Sequence, residues 1–489
     1  MLFNSHIFIL LFLPLLLVGW YFLNWKKKFQ LAQGYLIGMS LWFYAYANLQ
    51  YLWLLLFSCL IGWLLSCVPE KISSEKGKKV LTGVGCVFHL GLLGYFKYSN
   101  FFLENLNTVF HTDFSMLQIL LPVGISFYTF QQLAYLIDRC RGDAPRDSFF
   151  DYLTFMVYFP QLLQGPILLR SEFMGQLKEP ERRRFHAERF SEGIQFFVFG
   201  LAKKVLLADT LAKAVNYGYS NASMLDSISA LLLAAGYLTE LYFDFSGYCD
   251  MAVGLGKMIG LEVAENFDAP FHSASVKEFW RRWHMTLGRF FTRYVYIPLG
   301  GNRKGKMRTL CNVMIVMLLS GLWHGAAWTF VLWGFLHGVG MIWDNLEHPH
   351  LPKKWMRQAA TFAYVCMTFV FFRAESITQG VDVLKSIVGL KWNGFVFQMA
   401  SALDMTECYI ITKALSMKLP GLLSWFWLGI FVVLIAICFR VLSGEKVSGV
   451  VALQRQKGYG RLYPVLLAVL FTWSMISMTG VSEYLYFSF

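Results

Sequence analysis

Charged residues are scarce in this sequence. Of its 489 residues, 15% are charged, whereas 56% are hydrophobic and 18% are aromatic. This composition excludes an ordinary soluble globular domain, in which about 25% of the residues carry a charge. Apolar stretches long enough to cross a bilayer recur along the chain and are separated by short polar or basic connections. The sequence therefore predicts an all-α polytopic membrane protein.

Paired cysteines and metal-binding motifs are missing as well. The nine cysteines lie singly, without a CxxC pair, which argues against a disulfide framework or a zinc ribbon. There is no HExxH motif, and His337 lies thirteen residues from His324, outside the spacing of a helical ligand pair. A GxSxG motif and a plausible Ser-His-Asp order are also absent. We therefore expect no metal and no bound cofactor.

Acidic residues are fewer than basic ones. The chain has 43 Lys and Arg against 30 Asp and Glu, a net charge of +13. The basic residues lie in the connections between apolar stretches, a placement that fits cytoplasmic loops and anionic lipid better than nucleic acid. Residues 26–28 follow an apolar N-terminal stretch without a cleavage site, which we expect to be a retained span with its N-terminus outside. Residues 170–189 and 303–308 are then cytoplasmic.

The remaining apolar stretches predict further membrane helices, and residues 374–421 contain no clean span. We expect helices near residues 35–46, 51–68, 80–96, 117–136, 195–207, 229–243, 358–372, 422–442 and 462–478.

Several polar side chains fall inside these apolar stretches. Gln131 lies in the stretch that ends near residue 136, Gln164 lies between two prolines, and Asp244 interrupts another stretch. Amides and carboxylates at membrane depth need partners, so they either join helices or line a pore. The glycines that follow Asp244 resemble a dinucleotide-binding loop, but no strand precedes them, so close helix packing is the better interpretation.

Residues 264–308 form the longest polar stretch and interleave aromatic with basic residues. Trp280, Arg281 and Arg282 begin this pattern, which continues through further aromatic and arginine residues. The pattern is typical of a cytoplasmic interfacial segment with its rings in the lipid headgroups. The same interleaved basic and aromatic residues would also suit a substrate that is rich in phosphates and donates a chemical group.

His324 lies within residues 309–345, an apolar segment long enough for a membrane hairpin or a broken crossing. An ionisable ring at membrane depth is a candidate functional residue, although a core histidine bonded to a neighbouring helix is the alternative. Gly321 and Gly325 flank the ring beside Trp323, and their lack of bulk would let a substrate or another backbone approach. His324 is a candidate general base for a hydroxyl that the substrate supplies, while His284 or nearby amides would orient the reacting carbonyl or stabilise its oxyanion.

Five segments together resemble the membrane-bound O-acyltransferase family, in particular its alginate-type O-acetyltransferase branch. They are PVGISFYTFQQLAYLIDRCRG, YFPQLLQGPI, DFSGYCDMAVGLGKMIG, FWRRWHMTLGRFF and SGLWHGAAWTFVLWGFLHG, in this order. The resemblance implies that residues 1–489 form a single membrane-embedded domain. It also implies a ring of roughly 11 to 13 transmembrane or re-entrant helices around a central tunnel. The invariant membrane histidine of the family matches His324, and a second functional histidine matches His284.

The resemblance further implies how this chain would act. An acyl thioester, usually acetyl-CoA, would donate its acyl group from the cytoplasm of a bacterium. An extracellular SGNH-type or similar acetyltransferase would finish the O-acylation of a polysaccharide. D-alanyl transfer to teichoic acid, with a carrier-protein thioester as donor, is the rival activity within the family. A proton-coupled transporter with His324 in a relay is the rival of another class, but no inverted repeat supports it.

Residues 481–489 are rich in aromatic side chains and include Tyr486. Such a segment is commonly an anchor at the membrane interface. It also resembles the terminal motif of the small peptide that accompanies the D-alanyl transferases. By that resemblance, the Tyr486 phenol takes the acyl group from the donor, with His324 as base, and hands it to a partner outside.

Overall fold

The protein is built from α-helices and short helical turns. The structure, a computed structural model, describes residues 1–47, 49–68, 72–346, 353–437, 446–458, 460, 462–478 and 484–485. Within this part of the chain there is no β-strand. Five of the described helical stretches are long and apolar enough to cross a membrane, namely Phe8–Trp25, Glu75–Phe110, Ser227–Ile259, Lys306–His324 and Pro420–Ile437. The prediction of an all-α polytopic membrane protein is confirmed.

The helices follow one another closely along the chain. The first twelve are α1 (Leu13–Trp25), α2 (Phe29–Ala47), α3 (Leu52–Cys67), α4 (Glu75–Leu93), α5 (Ser99–Phe110), α6 (Ile125–Arg141), α7 (Phe149–Val157), α8 (Phe159–Leu162), α9 (Arg170–Lys178), α10 (Ala187–Ala202), α11 (Asp209–Ser220) and α12 (Ser227–Ile259). The others are α13 (Val276–Arg282), α14 (Met285–Phe291), α15 (Lys306–His324), α16 (Trp328–Asn345), α17 (Lys354–Arg373), α18 (Ile377–Val388), α19 (Phe395–Ser401), α20 (Tyr409–Lys418), α21 (Pro420–Ile437), α22 (Val447–Lys457) and α23 (Leu462–Ser477).

The chain divides into two compact units that alternate along the sequence. The first unit comprises Met1–Val198, Tyr248–Glu265 and Thr286–Pro298. The second comprises Phe199–Gly247, Asn266–Met285 and Leu299–Phe489. His284 and His324 therefore both belong to the second unit, which is also the unit that holds Asp244.

Close helix packing holds part of the first unit together. A Cβ atom on Gly254 would lie 2.5 Å from the carbonyl oxygen of Gly193, so the backbones of α12 and α10 touch where both residues are glycine. Van der Waals packing of this kind is a main source of helix association in a bilayer, because lipid is as apolar as the side chains. The interpretation of these glycines as packing residues, not a dinucleotide loop, is confirmed.

The helix predicted from residue 117 begins later. Residues 117–122 are not helical, and α6 starts at Ile125. Pro122 disfavours a helical conformation in the residue before it. Gly124 has a φ of +77°, and a Cβ there would lie 2.6 Å from the carbonyl oxygen of Leu162. The expected helix start was wrong because this glycine must hold a left-handed turn against another backbone.

The burial of aromatic side chains in the segment 264–308 also differs from the expectation. The segment is broken into α13, α14 and a π-helical turn at Thr292–Tyr296. Trp283, Phe290 and Phe291 are buried within the protein, with 1%, 4% and 5% exposure. The expectation that these rings face lipid headgroups was wrong. A composition of alternating aromatic and basic residues does not distinguish burial in lipid from burial in protein.

The second unit has a large aromatic core. Its buried rings come from seven helices and from the connection that precedes α13, and two of them, Trp333 and Phe372, contact His324 at the end of α15. Members that contact the candidate histidines or their neighbours are Phe279, Trp283, Trp333, Phe369 and Phe372. This core holds in place side chains that are far apart in the sequence.

Candidate active site

The segment that contains His324 is a helical hairpin. Helices α15 and α16 are joined by only three residues, because Gly325 and Ala327 are extended and end the first helix at His324. At about 1.5 Å per residue, His324 lies roughly 27 Å along the helix from Lys306. His324 is therefore the last residue of a helix that is long and apolar enough to cross a membrane.

Gly321 brings the two helices of the hairpin together. A Cβ on Gly321 would lie 2.3 Å from the carbonyl oxygen of Phe330 and 3.3 Å from the Cα of Gly334. Of the two possibilities that the sequence left open for this glycine, the structure supports the close approach of another backbone. Gly321 thereby sets the position of the turn that carries His324.

We expect Gly321→Ala to destabilise the protein by about 1–3 kcal/mol, because the new methyl group meets backbone atoms that cannot rotate away. Gly429→Ala is the matched control, since no atom lies within 4 Å of the added Cβ in α21. Thermal unfolding in detergent measures both variants. Equal unfolding temperatures for the two would contradict the packing that we describe.

His324 is enclosed by aromatic rings. Its side chain is 4% exposed, and its ring centroid lies 4.9 Å from that of Trp323, 5.1 Å from that of Trp333 and 5.1 Å from that of Phe372. The three rings hold the imidazole in one orientation and shield it from lipid and bulk water. Burial of this kind is expected both of a general base in a narrow site and of a core histidine.

His284 occupies the break between α13 and α14. Its backbone has a φ of +46°, a conformation that costs a non-glycine residue about 1–3 kcal/mol and is often found at functional sites. The side chain is 1% exposed. Its Nδ1 atom lies 3.2 Å from Oδ1 of Asn266, and the ring packs edge-on against Phe245 at 4.8 Å.

The protonation state of His284 follows from its burial and from its hydrogen bond with Asn266. Burial lowers the pKa of His284 to about 3, so the ring is neutral at neutral pH. Because the amide oxygen of Asn266 accepts a hydrogen bond, Nδ1 carries the single proton of the neutral ring. Nε2 is then an acceptor of protons and hydrogen bonds. In this tautomer His284 is suited to orient or deprotonate a hydroxyl, and not to donate a hydrogen bond to an oxyanion.

The ring of Trp323 lies close to both histidines. Its ring lies 6.1 Å from His284 and 4.9 Å from His324, measured between centroids. The structure thus brings together three of the candidate residues that the sequence suggested, although forty residues separate the histidines. Two imidazoles therefore lie close to one indole in the second unit.

His337 has a structural role in the same core. The indole N–H of Trp280 donates to Nδ1 of His337 at 3.2 Å, and Nε2 lies 2.9 Å from the hydroxyl of Thr368. With both ring nitrogens occupied, His337 is a satisfied core histidine. Trp280, a candidate donor-binding residue, therefore contacts the hairpin, and its ring also packs against Trp333 at 5.6 Å.

The two candidate arginines differ in their surroundings. Arg282 pairs with Glu278 at 2.9 Å and donates to the carbonyl oxygen of Asp268 at 3.3 Å. Arg281 is exposed. Of the two, Arg281 is better placed to meet a charged group from solution.

The candidate glutamines lie in the first unit. Gln131 is 1% and Gln164 is 0% exposed, as expected for side chains directed at protein and not at lipid. Among the described residues, neither amide atom of Gln164 has a hydrogen-bond partner, nor has Oε1 of Gln131. Buried amides without partners are costly, so Gln164 is a candidate ligand-binding residue of its own unit.

Asp244 belongs to a buried ion cluster that the sequence did not reveal. Its Oδ1 atom lies 2.6 Å from Nζ of Lys204, and the same ammonium lies 2.8 Å from Asp209. Lys204 sits on a π-helical turn, Lys203–Ala208, between α10 and α11. The signal that could have identified it is a lysine inside a predicted span, since such residues are rare and usually functional.

The terminal segment contacts this cluster. The backbone N–H of Leu485 donates to Oδ2 of Asp244 at 3.0 Å. The ring of Tyr484 lies 4.7 Å from Nζ of Lys204 and is fully buried. Tyr486, the candidate acyl carrier, lies outside the described residues.

A metal site was not expected. Among the residues that the structure describes, no group of three or more His, Cys, Asp and Glu side chains is arranged to hold a metal ion.

Comparison with known proteins identifies related enzymes. The model of the membrane-bound O-acyltransferase family matches residues 143–379. A peptidoglycan O-acetyltransferase of Helicobacter pylori is 36% identical over 423 residues, which cover 80% of each chain. A probable alginate O-acetylase of Pseudomonas putida is 39% identical over 77% of this chain and 78% of its own length. A teichoic acid D-alanyltransferase of Streptococcus thermophilus is 28% identical over 49% of this chain and 58% of its own length.

Proposed function

This chain belongs to the membrane-bound O-acyltransferase family, and from that premise we propose that it transfers an acetyl group from a cytoplasmic thioester across the membrane for O-acetylation of an extracellular polysaccharide. The chain is a multi-pass membrane acyltransferase, like its bacterial relatives. Two of those relatives are named for acetylation of peptidoglycan and alginate. The similarity to the D-alanyl transferase is lower and covers less of the chain, which favours acetyl over D-alanyl transfer.

The observation that carries the proposal is that two buried histidines, His284 and His324, both lie close to the Trp323 ring, at 6.1 Å and 4.9 Å between centroids. An O-acyltransferase must remove the proton of a hydroxyl as that hydroxyl attacks the acyl carbon. In our proposal, His324 accepts this proton while the oxygen bonds to the carbonyl carbon. The carbon–sulfur bond then breaks, and the leaving thiolate takes the proton back from His324. His284, neutral and held by Asn266, orients the attacking hydroxyl.

Positive charge supports the choice of donor, and the size of the acceptor supports the choice of partner. Acetyl-CoA is the donor that we propose, because Arg281 and the basic residues 303–308 provide positive charge for its phosphates. The large anionic head would stay on the cytoplasmic side, and only the acetyl end would enter a tunnel to His324. A polysaccharide is too bulky for such a tunnel, so an extracellular acetyltransferase of the SGNH type is the proposed partner.

Sealed vesicles that contain the protein test the proposal. We expect acetyl transfer from added acetyl-CoA in inside-out vesicles and at least about tenfold less in right-side-out vesicles, because the donor cannot cross lipid. Lys304→Cys reports the orientation, since an impermeant maleimide should label it only when the cytoplasmic face is outward. Labelling of Lys304→Cys in intact cells, or transfer that does not depend on orientation, would contradict a cytoplasmic donor site.

A further inference from the structure

The indole N–H of Trp333 is a buried hydrogen-bond donor that the aromatic core leaves unused. Among the described residues, its Nε1 atom has no hydrogen-bond partner, and the side chain is 1% exposed. A donor that is buried without an acceptor costs free energy, since in the unfolded chain it would bond to water. Such groups are few in native proteins, so this one requires a specific explanation.

The same core provides an acceptor for a neighbouring indole. The N–H of Trp280 donates to Nδ1 of His337 at 3.2 Å, and Nε2 of that ring is bonded to a threonine hydroxyl. His337 lies 4.8 Å from Trp333 between ring centroids, but both of its nitrogens are occupied. The other rings that pack against Trp333 have no lone pair for an N–H, and a ring face is a weak acceptor. These rings are Trp280, Phe369 and Phe372.

Trp333 also packs directly against the candidate base. Its ring centroid lies 5.1 Å from that of His324, and the two ring planes meet at 88°. The helical hairpin fixes this arrangement, because Gly334, the next residue in α16, touches the backbone of α15. A Cβ on Gly334 would lie 2.5 Å from the carbonyl oxygen of Met317. The indole and the imidazole are therefore held side by side by close packing of the two helices.

The separation of the two rings suits a single reacting acyl group. A general base accepts the proton of a hydroxyl at about 2.6–3.2 Å, and that hydroxyl approaches the carbonyl carbon from about 3–3.5 Å. The carbonyl oxygen lies about 1.2 Å beyond the carbon, and a donor that stabilises it lies about 2.7–3.1 Å away. Rings whose centres are 5.1 Å apart can therefore contact the hydroxyl and the carbonyl oxygen of one reaction.

The two histidines leave one part of the reaction without a residue. Acyl transfer places negative charge on the carbonyl oxygen, and this charge requires a hydrogen-bond donor in a site away from water. His284 is not that donor, because Asn266 accepts a hydrogen bond from Nδ1 and Nε2 is then an acceptor. An indole N–H only donates. Trp333 therefore offers the donor that the reaction needs, beside His324.

We propose that the indole N–H of Trp333 bonds to the carbonyl oxygen of the acyl thioester and stabilises the oxyanion that forms there. The proposal rests on the proposed function, in which His324 is the base. The hydroxyl oxygen bonds to the carbonyl carbon, its proton passes to His324, and the electron pair of the carbonyl π bond moves to the oxygen beside Trp333. As that pair returns, the carbon–sulfur bond breaks and the thiolate takes the proton from His324. Trp333 is thus a catalytic residue as well as part of the wall around the base.

Replacement of the N–H alone tests the proposal. Benzothienylalanine, inserted at position 333 through an amber codon, has a sulfur atom in place of the indole N–H and nearly the same shape as tryptophan. The matched control carries it instead of Trp355, which is 63% exposed at the start of α17. We expect kcat for transfer from acetyl-CoA to fall about a hundredfold at Trp333, with KM unchanged, and to stay at the wild-type value at Trp355. An unchanged kcat at Trp333 would overturn the proposal.

A second measurement separates stabilisation of the oxyanion from a role in holding His324. The hydrated ketone of trifluoroacetonyl-CoA has a tetrahedral carbon and resembles the intermediate, so it should bind more tightly than the substrate does. We expect the variant at Trp333 to bind this analogue at least about tenfold more weakly than the wild type and to bind coenzyme A equally well. Equal affinities for the analogue would overturn the proposal even where kcat is lowered. Absence of acetyl transfer by the wild type and the Trp355 variant would instead contradict the proposed function.

Discussion

Replacement of His324 by alanine is expected to lower acyl transfer by about 10² to 10⁴-fold, the usual effect of removing a general base. The three rings around His324 exclude water that would replace the imidazole. Because the variant also loses the three ring contacts of the imidazole, its unfolding temperature is measured beside its rate. The initial rate of acetyl transfer by purified protein measures the effect.

His337→Ala provides the matched comparison. His337 is buried in the same core and has both ring nitrogens bonded, so its loss should destabilise the protein by about 2–4 kcal/mol. We expect a lowered unfolding temperature for His337→Ala and a lowered rate for His324→Ala. Normal acetylation of the cell-surface polymer by His324→Ala, at a normal protein level, would return His324 to the role of a core histidine.

Tyr486→Phe is expected to reduce transfer to the extracellular acceptor on the order of a thousandfold or more, a loss comparable to that of other enzymes without their nucleophile. The substitution keeps an aromatic ring and removes only the hydroxyl. By the carrier hypothesis, the phenol oxygen of Tyr486 bonds to the acetyl carbon, its proton passes to His324, and the carbon–sulfur bond breaks as the thiolate leaves. The resulting phenyl ester is reactive enough to acetylate a hydroxyl of the partner.

Two results separate a carrier from a membrane anchor. A carrier predicts an acetyl adduct on the C-terminal peptide of the wild-type protein after incubation with acetyl-CoA, and no adduct on Tyr486→Phe. An anchor predicts that Tyr486→Phe transfers acetyl groups at the wild-type rate, because phenylalanine occupies the interface as well as tyrosine does. Full activity of that variant would end the carrier hypothesis.

The sequence predicted those features that depend on local pattern. The apolar segment around His324 has the length of a hairpin, and α15 and α16 form one. Gly254, one of the glycines after Asp244, lies in α12 and packs against the backbone of α10 at Gly193. The boundary of α6 was missed because hydropathy continues through residues 117–124, whereas Pro122 and the left-handed Gly124 prevent a helix there.

Contacts between distant segments could not be predicted in this way. Lys204 meets Asp244 across forty residues, and Asp244 meets Leu485 across 241 residues. No periodicity in the sequence encodes such pairs. The burial of Trp283 and Phe290 in protein was missed for a related reason, since an aromatic ring next to arginines fits both a lipid surface and a core. The proximity of His284 to Trp323 likewise depends on the bend between α13 and α14.

The most direct test of the account is the rate at which the C-terminal peptide acquires an acetyl group, measured by mass spectrometry in a single turnover. Wild-type protein and His324→Ala are incubated with acetyl-CoA at the same concentration and sampled over time. The account predicts an adduct on Tyr486 in the wild type and a rate at least about a hundredfold lower in His324→Ala. Formation of the adduct at the wild-type rate without His324 would contradict the claim that this histidine is the base of the transfer.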